Sequence, residues 1–329
     1  MKAPTHYPHL AGAFASFLDL CKDRKVTVFG HARPDADCVG SQVALVRVLR
    51  ARGIAATAYN ESPLPFRLTF LTEGVPFVGE CREIPADSLL VTVDCSDTAR
   101  LGEVGPLPEE GVMINFDHHL SNPDFGYLNF VVKDATSTAE VLAGLFFDAE
   151  LPVDRATATA LYAGIITDAG NFCYPSTTPE VLELAAKLIR CGAEPAAIAQ
   201  AIYERETFAK MRLLTCFLGR LTLLAKGRAC YSWLTAEDFA RTGATYQDTE
   251  GLVNHARSIE GVQVAAYLEV RDGTVKGSLR AREASYRVDL LAGRFGGGGH
   301  ACAAGFTWEG ALEDLLPLFQ NVLEETCAS

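Results

Sequence analysis

The 329-residue sequence has no apolar run long enough to cross a bilayer without carrying charges, which argues against a transmembrane helix. Its first residues, MKAPTHYPHLAGAFASF, lack the sustained apolar stretch of a secretory signal, so a cytoplasmic protein is expected. None of the ten cysteines forms a C-x-x-C pair, which argues against a zinc ribbon or a thioredoxin-type site. They are scattered through apolar segments, as buried reduced thiols are. Positive charge is scarce too: the formal net charge is −12. A protein that grips long nucleic acid presents a basic stripe, and the same holds for an anionic membrane surface. Any nucleic acid handled here is therefore short, or the positive charge comes from metal ions. Repeats and low-complexity tails are absent as well.

What is present is an ordinary globular composition, 49% hydrophobic and 21% charged, at a length that suits two domains. Up to about residue 190 short β-rich runs alternate with helical runs. KVTVFG (25–30), IAATAY (54–59), SLLVTVDCSD (88–97) and GVMINFDHH (111–119) read as strands. Residues 41–53 read as a helix ending at Gly53, with Gly40 and Ser41 at its opening. Residues 137–150 read as a helix with a capping box from Ser137 to Glu140, followed by helices over 156–170 and 178–192. Apolar strands alternating with helices imply a parallel sheet covered on both faces, an α/β domain. Residues 193–214 read as a helical linker. From 215 the pattern changes to strands at 228–235 and 262–281, with a turn at Asp272-Gly273, a glycine run and a last helix. The expected organisation is an α/β catalytic domain over 1–192 and a smaller α+β domain over 215–329.

In parallel sheets ligands gather at the carboxyl ends of the strands. Polar groups cluster at such ends: His31, Asp35 and Asp37 in GHARPDADCVGS, Asp94 closing VTVD, and Asp117, His118 and His119 closing INFDHH. Asp168 ends the helical run YAGIITDAGNF. Singly, each is equally a helix cap or a solvated turn. Together they describe a crevice of carboxylates whose repulsion a cation would offset. Carboxylate and imidazole without thiolate suit a divalent ion such as Mn²⁺ or Mg²⁺. Two such ions about 3.5–4 Å apart can share a hydroxide and clamp a phosphoryl group.

GHARPDADCVGS, VTVDCSD, FDHH and GIITDAGNF, in this order, resemble the four motifs of the DHH phosphoesterase superfamily, and FGGGGHACAAGF resembles the glycine-rich signature of its DHHA1 domain. The short two-domain layout is similar to the bacterial nano-RNases, which are also phosphatases of 3′-phosphoadenosine 5′-phosphate (pAp). The resemblance implies two Mn²⁺ ions, with Mg²⁺ or Co²⁺ as substitutes. His31, Asp35 and Asp94 would hold one, and Asp37, Asp94, His118 and Asp168 the other, with Asp94 bridging. A metal-activated hydroxide would cleave di- to pentaribonucleotides and pAp, with His119 facing the scissile phosphate and Asp117 orienting a histidine.

The same resemblance places substrate contacts in the second domain, at Arg280, Arg282, Gly297, Gly298, Gly299 and His300. Residues 271–294 carry six basic residues against three acidic, the reverse of the chain's balance. Ala169 and Cys173 depart from the family pattern, Cys173 standing where an arginine is common. Arg33 is a candidate to compensate. The expected partners are short RNA or mononucleotides, with no long nucleic acid and no membrane, and a homodimer fits the family. Rival functions are a phosphodiesterase of pApA and cyclic dinucleotides, a RecJ-like exonuclease, an inorganic pyrophosphatase of the DHH type and a non-catalytic nucleotide-binding regulator. The glycine-rich GGGGH argues against the pyrophosphatase, and the acidic charge against a binder of long DNA.

Overall fold

A computed structural model describes residues 5–78, 88–103, 113–271 and 273–328. Cys81, the first two residues of the strand read at 111–119, and Asp272 of the turn read at 272–273 lie outside the described residues. The chain divides into two units, Met1–Arg205 and Glu206–Ser329.

The first unit is built on six parallel strands: β1 (Lys25–Phe29), β2 (Ala56–Tyr59), β3 (Phe77–Val78), β4 (Ser88–Val93), β5 (Met113–Asp117) and β6 (Leu128–Val131). Their order is β3-β2-β1-β4-β5-β6. From β1 the chain runs outward first to β2 and β3, then returns on the other side of β1 with β4. That reversal between β1 and β4 is where α/β sheets open a crevice at the carboxyl ends of their strands. Every residue of β4 is buried, as a strand with helices over both faces must be. The two-residue β3 and the four-residue β6 are not marked as strands in the sequence.

Among the described residues six α-helices complete this unit: α1 (Ala11–Leu20), α2 (Ala36–Ala51), α3 (Thr138–Asp148), α4 (Arg155–Asp168), α5 (Pro179–Arg190) and α6 (Pro195–Tyr203). The helix expected from Ser41 begins at Ala36 instead. Asp35 is its N-cap: the backbone is extended there and the carboxylate accepts the Cys38 N–H at 3.0 Å. Gly40 therefore lies inside α2 rather than at its opening. A β-carbon there would lie 2.3 Å from the Ala160 carbonyl of α4, and one at Gly164 would lie 2.6 Å from Asp37 Oδ1 and from the Ala139 β-carbon. These two glycines let α2, α3 and α4 approach closely around Asp37. Ser137 caps α3 by accepting the Glu140 N–H at 3.0 Å. The other half of the expected capping box is not made, because the Glu140 carboxylate turns to the Thr136 N–H (2.6 Å) and hydroxyl (2.8 Å).

The second unit opens with α7 (Phe208–Gly219) and β7 (Thr222–Leu224). It continues with β8 (Ala229–Leu234), α8 (Ala236–Thr242), α9 (Leu252–Arg257), β9 (Val264–Arg271) and β10 (Thr274–Ala281). α10 (Val288–Gly293), β11 (Gly298–His300), β12 (Ala303–Glu309) and α11 (Leu312–Ala328) end it. The six-stranded sheet has the order β11-β12-β10-β9-β8-β7 and is antiparallel except for the β8–β9 pair. Its core is separate from that of the first unit and packs Phe295, Phe306 and Phe319 under the sheet.

Of the nine described cysteines, five are buried, while Cys173 is exposed and Cys191, Cys216 and Cys302 are half-buried; all nine are free thiols. Among the described residues no helix is long and apolar enough to cross a membrane.

Candidate metal centre

β1, β4 and β5 run parallel, so the residues that follow them emerge at one edge. His31, Asp94 and Asp117 through His119 are there, joined by Asp37 from the first turn of α2 and Asp168 from the last residue of α4. Asp94 stands between two imidazoles. Its Oδ2 lies 3.4 Å from His31 Nε2 and its Oδ1 lies 3.6 Å from His118 Nε2. Its backbone is left-handed, with φ +59°, a pose tolerated by Asp more readily than by most side chains. The Asp94 N–H bonds the Phe116 carbonyl at 3.0 Å and the Thr138 hydroxyl bonds Oδ1 at 3.3 Å, so the pose is held from both sides.

Both flanking histidines aim the same nitrogen inward. His31 Nδ1 lies 2.9 Å from the Ala32 carbonyl and His118 Nδ1 lies 3.3 Å from the Ala135 carbonyl. A carbonyl only accepts, so each Nδ1 carries a proton and each Nε2 is the ring nitrogen left to face the carboxylates. His31 Nε2 is buried and has no hydrogen-bond partner. It also lies 3.7 Å from Asp35 Oδ1, and His118 Nε2 lies 3.5 Å from Asp168 Oδ2. A buried imidazole nitrogen without a hydrogen-bond partner, facing carboxylates, fits a divalent cation and is otherwise costly.

Asp37 is fully buried, its Oδ2 accepting the Thr138 N–H at 2.7 Å and its Oδ1 the Ala139 N–H at 2.9 Å. The carboxylate thus sits on the N-terminus of α3. Burial, and then the neighbouring charges of Asp94, Asp168 and Asp35, still push its pKa well above the ordinary range. Asp168 is pushed up to about 8, by burial first and then by Asp94 and Asp35. Burial would lower the His31 pKa, but the carboxylates of Asp35 and Asp94 outweigh it and the net shift is upward. Without a cation, the cluster holds protons in its place.

His119 is held differently. Its Nδ1 bonds Asp117 Oδ1 at 2.7 Å, and Asp117 also accepts from the Asn122 amide at 2.6 Å. Burial works against the charged forms of both partners, yet their mutual bond lowers the Asp117 pKa and raises that of His119. His119 Nε2 lies 2.7 Å from Arg100 Nη1. Arg100 was not singled out from the sequence. The Ala32 N–H bonds its carbonyl at 2.7 Å, joining the turn after β1 to the turn after β4, a link that no local spacing reveals. Beyond Asp168, three consecutive residues, Gly170, Asn171 and Phe172, have positive φ. Cys173, at the position of the family's usual arginine, is exposed.

In the second unit, Arg280 and His300 face Ala303 from either side across β10, β12 and β11. Opposed residues of antiparallel strands share a face, so the two side chains belong to one row. Burial, and then Arg257, lower the Arg280 pKa. Arg282 is committed to the fold: its guanidinium donates to the carbonyls of Val262 (2.6 Å) and Arg257 (2.9 Å). Gly297 and Gly299 have a steric reason of their own. A β-carbon would lie 2.1 Å from the Gly305 carbonyl and 2.6 Å from the Ala303 carbonyl respectively, whereas Gly298 has open space. Three basic residues of the local excess are ion-paired: Arg271 with Glu269, Arg287 with Asp289 and Arg294 with Glu325.

Residues 25–165 match the DHH family, N-terminal domain, and residues 226–329 match the DHHA1 domain. The chain is 33% identical over 294 residues to the bifunctional oligoribonuclease and PAP phosphatase NrnA of Thermus thermophilus, covering 89% of this chain and 86% of that one. It is 26% identical over 291 residues to the NrnA of Bacillus subtilis, covering 85% and 89%. An exopolyphosphatase-related protein from Bacteroides fragilis has the same fold, with a TM-score of 0.84 at 22% identity over 100% of this chain and 99% of that one.

Proposed function

Because the chain belongs to the DHH family and carries a DHHA1 domain, we propose that it is a Mn²⁺-dependent phosphohydrolase of di- to pentaribonucleotides and of pAp. One observation carries the reading: Asp94 turns one carboxylate oxygen to His31 and the other to His118. That is the arrangement of a bridging ligand. His31, Asp35 and Asp94 are the residues for one ion, and Asp37, Asp94, His118 and Asp168 for the other. When bound, such cations lower the pKa of water and draw charge from a phosphoryl group.

The remaining work belongs to the chain. The N–H groups of Thr138 and Ala139 fix the Asp37 carboxylate, so one wall of the site is rigid before substrate arrives. Asp117 holds the proton of His119 on Nδ1 and thereby sets the direction of Nε2. Arg100 supplies a fixed positive charge beside that nitrogen. Arg100 shifting its guanidinium onto a bound phosphate would leave His119 Nε2 free to take a proton from solvent water and pass it to the leaving oxygen, the imidazole returning to its neutral form. Arg280 and His300 are assigned to hold the nucleotide, with Gly298 offering open backbone beside them. Arg282 is assigned to shaping that surface through the carbonyls it binds.

The relatives named NrnA support the substrate class, and the net charge of −12 disfavours long polymers. The test is a comparison of rates of the Mn²⁺-loaded full chain on pApA, a five-nucleotide RNA, pAp, cyclic di-AMP and pyrophosphate. Short RNA and pAp are expected as the best substrates. Fastest turnover of pyrophosphate or of cyclic di-AMP would overturn the assignment, and turnover of none would leave a nucleotide-binding regulator.

A further inference from the structure

The His31 side of the centre contains a sulfur atom. Cys38 lies in the first turn of α2 and is fully buried. Its Sγ, a ring nitrogen of His31 and a carboxylate oxygen of Asp94 all lie within 4.8 Å of one another. The thiol also makes two long hydrogen bonds, donating to Gln42 Oε1 at 3.9 Å and accepting from Asn60 Nδ2 at 4.0 Å. Facing it is His31, 4% exposed, whose Nδ1 is used on the Ala32 carbonyl and whose Nε2 has no hydrogen-bond partner. Imidazole nitrogen, thiol sulfur and carboxylate oxygen converge there. On its other side Asp94 groups with His118 and His119, and His118 groups in turn with Asp37 and Asp168; neither group contains sulfur.

The two sides therefore differ in softness. Thiolate ligands select Zn²⁺ and similar ions, whereas carboxylate and water suit Mg²⁺ and Mn²⁺. We propose that Cys38 is a thiolate donor to the cation held by His31 and Asp94. This half of the centre then binds a thiophilic divalent ion such as Zn²⁺ or Co²⁺ more tightly than the Mn²⁺ that supports hydrolysis, while the Asp37, His118 and Asp168 half stays hard. The inference rests on the metal-centre reading above. Binding replaces the thiol proton, which leaves to solvent, and no electron is transferred. The sequence alone does not mark this sulfur as a ligand, because Cys38 looks like one more small apolar residue in a helix.

The probe is Co²⁺, whose bond to thiolate gives a near-ultraviolet charge-transfer absorption that oxygen and nitrogen ligands do not give. The full chain, stripped of metal with a chelator, is titrated with Co²⁺. The band is expected to grow and saturate in the wild type, to be absent in Cys38→Ala, and to persist in Cys95→Ala and Cys302→Ser. A competition run with Cd²⁺ against bound Mn²⁺ is expected to need at least about tenfold more Cd²⁺ in Cys38→Ala. If Cys38→Ala does not fold, judged by near-ultraviolet circular dichroism, Cys38→Ser takes its place. No band in the wild type, or a band retained in the Cys38 variant, overturns the proposal. Mn²⁺-supported hydrolysis of short RNA, measured on the same preparation, separates the two readings. Hydrolysis without the band removes the sulfur ligand alone, and the band without hydrolysis removes the phosphohydrolase alone.

Discussion

In chelator the stability of the first unit is expected to fall as pH rises, and Asp168 is the residue through which this is measured. Its carboxyl, ordinarily near 3.8, is pushed up to about 8 by burial and by Asp94 and Asp35. Between roughly pH 4 and pH 8 the folded chain keeps a proton that the unfolded chain has released. Unfolding therefore releases protons in that window, so stability drops with rising pH and levels off above it. At about 1.4 kcal/mol per pH unit the ceiling for this one group is ~6 kcal/mol. The side chain is 26% exposed, so water screens part of the repulsion and roughly 2–3 kcal/mol is the expected size. His31 adds to the slope with the same sign. Its raised pKa contributes stability below about 6.5 that is lost as pH rises further. Asp168→Asn isolates the carboxylate's share. The assay is urea unfolding with chelator at pH 5, 6, 7 and 8, followed by far-ultraviolet circular dichroism. Both tryptophans, Trp233 and Trp308, lie in the second unit, so their fluorescence identifies that unit's transition and leaves the other to be assigned. Equal slopes in wild type and Asp168→Asn, or a wild-type stability that rises with pH, would refute the electrostatic account of the cluster.

Other outcomes follow from the same geometry. Asp94→Ala is expected to lower the rate with Mn²⁺ by at least ~10³-fold and to remove bound metal by elemental analysis, since one side chain serves both sides; near-normal rates would remove it as the bridge. Arg100→Met is expected to cost about 10–100-fold in kcat and to raise the His119 titration seen by NMR, because a neighbouring positive charge is lost. An unchanged His119 titration would show that the contact does not act on the ring. Gly164→Ala inserts a methyl 2.6 Å from Asp37 Oδ1 and should destabilise by about 1–3 kcal/mol in urea while weakening metal binding. Unchanged metal affinity would mean that the close approach of α4 does not position Asp37.

The parallel sheet and the gathering of His31, Asp94 and His118 were legible because each closes an apolar run, and parallel strands bring their ends together. The start of α2 was not. Asp35 reads as loop, and only its bond to the Cys38 N–H shows it to be a cap. Placing the helix at Ser41 made Gly40 an opening residue, whereas its role is to admit the Ala160 carbonyl. Arg100 escaped notice because its place depends on a link between two turns far apart in sequence. The basic excess around β10 was legible as charge but not as available charge: Arg271 and Arg287 pair with Glu269 and Asp289 two residues away, and Arg294 with the distant Glu325. Arg282 could be counted, but its use on backbone carbonyls could not.

The left-handed backbone at Asp94 separates two demands that mutagenesis usually confounds. Gly and Asn suit that torsion angle as well as Asp does, but neither carries an anion. A saturation library at codon 94, sorted first for soluble expression and then for turnover, should shed β-branched residues at the first sieve. Gly and Asn should survive it and fall at the second. The survivors of the first round would be folded, inert scaffolds suited to trapping an uncleaved substrate.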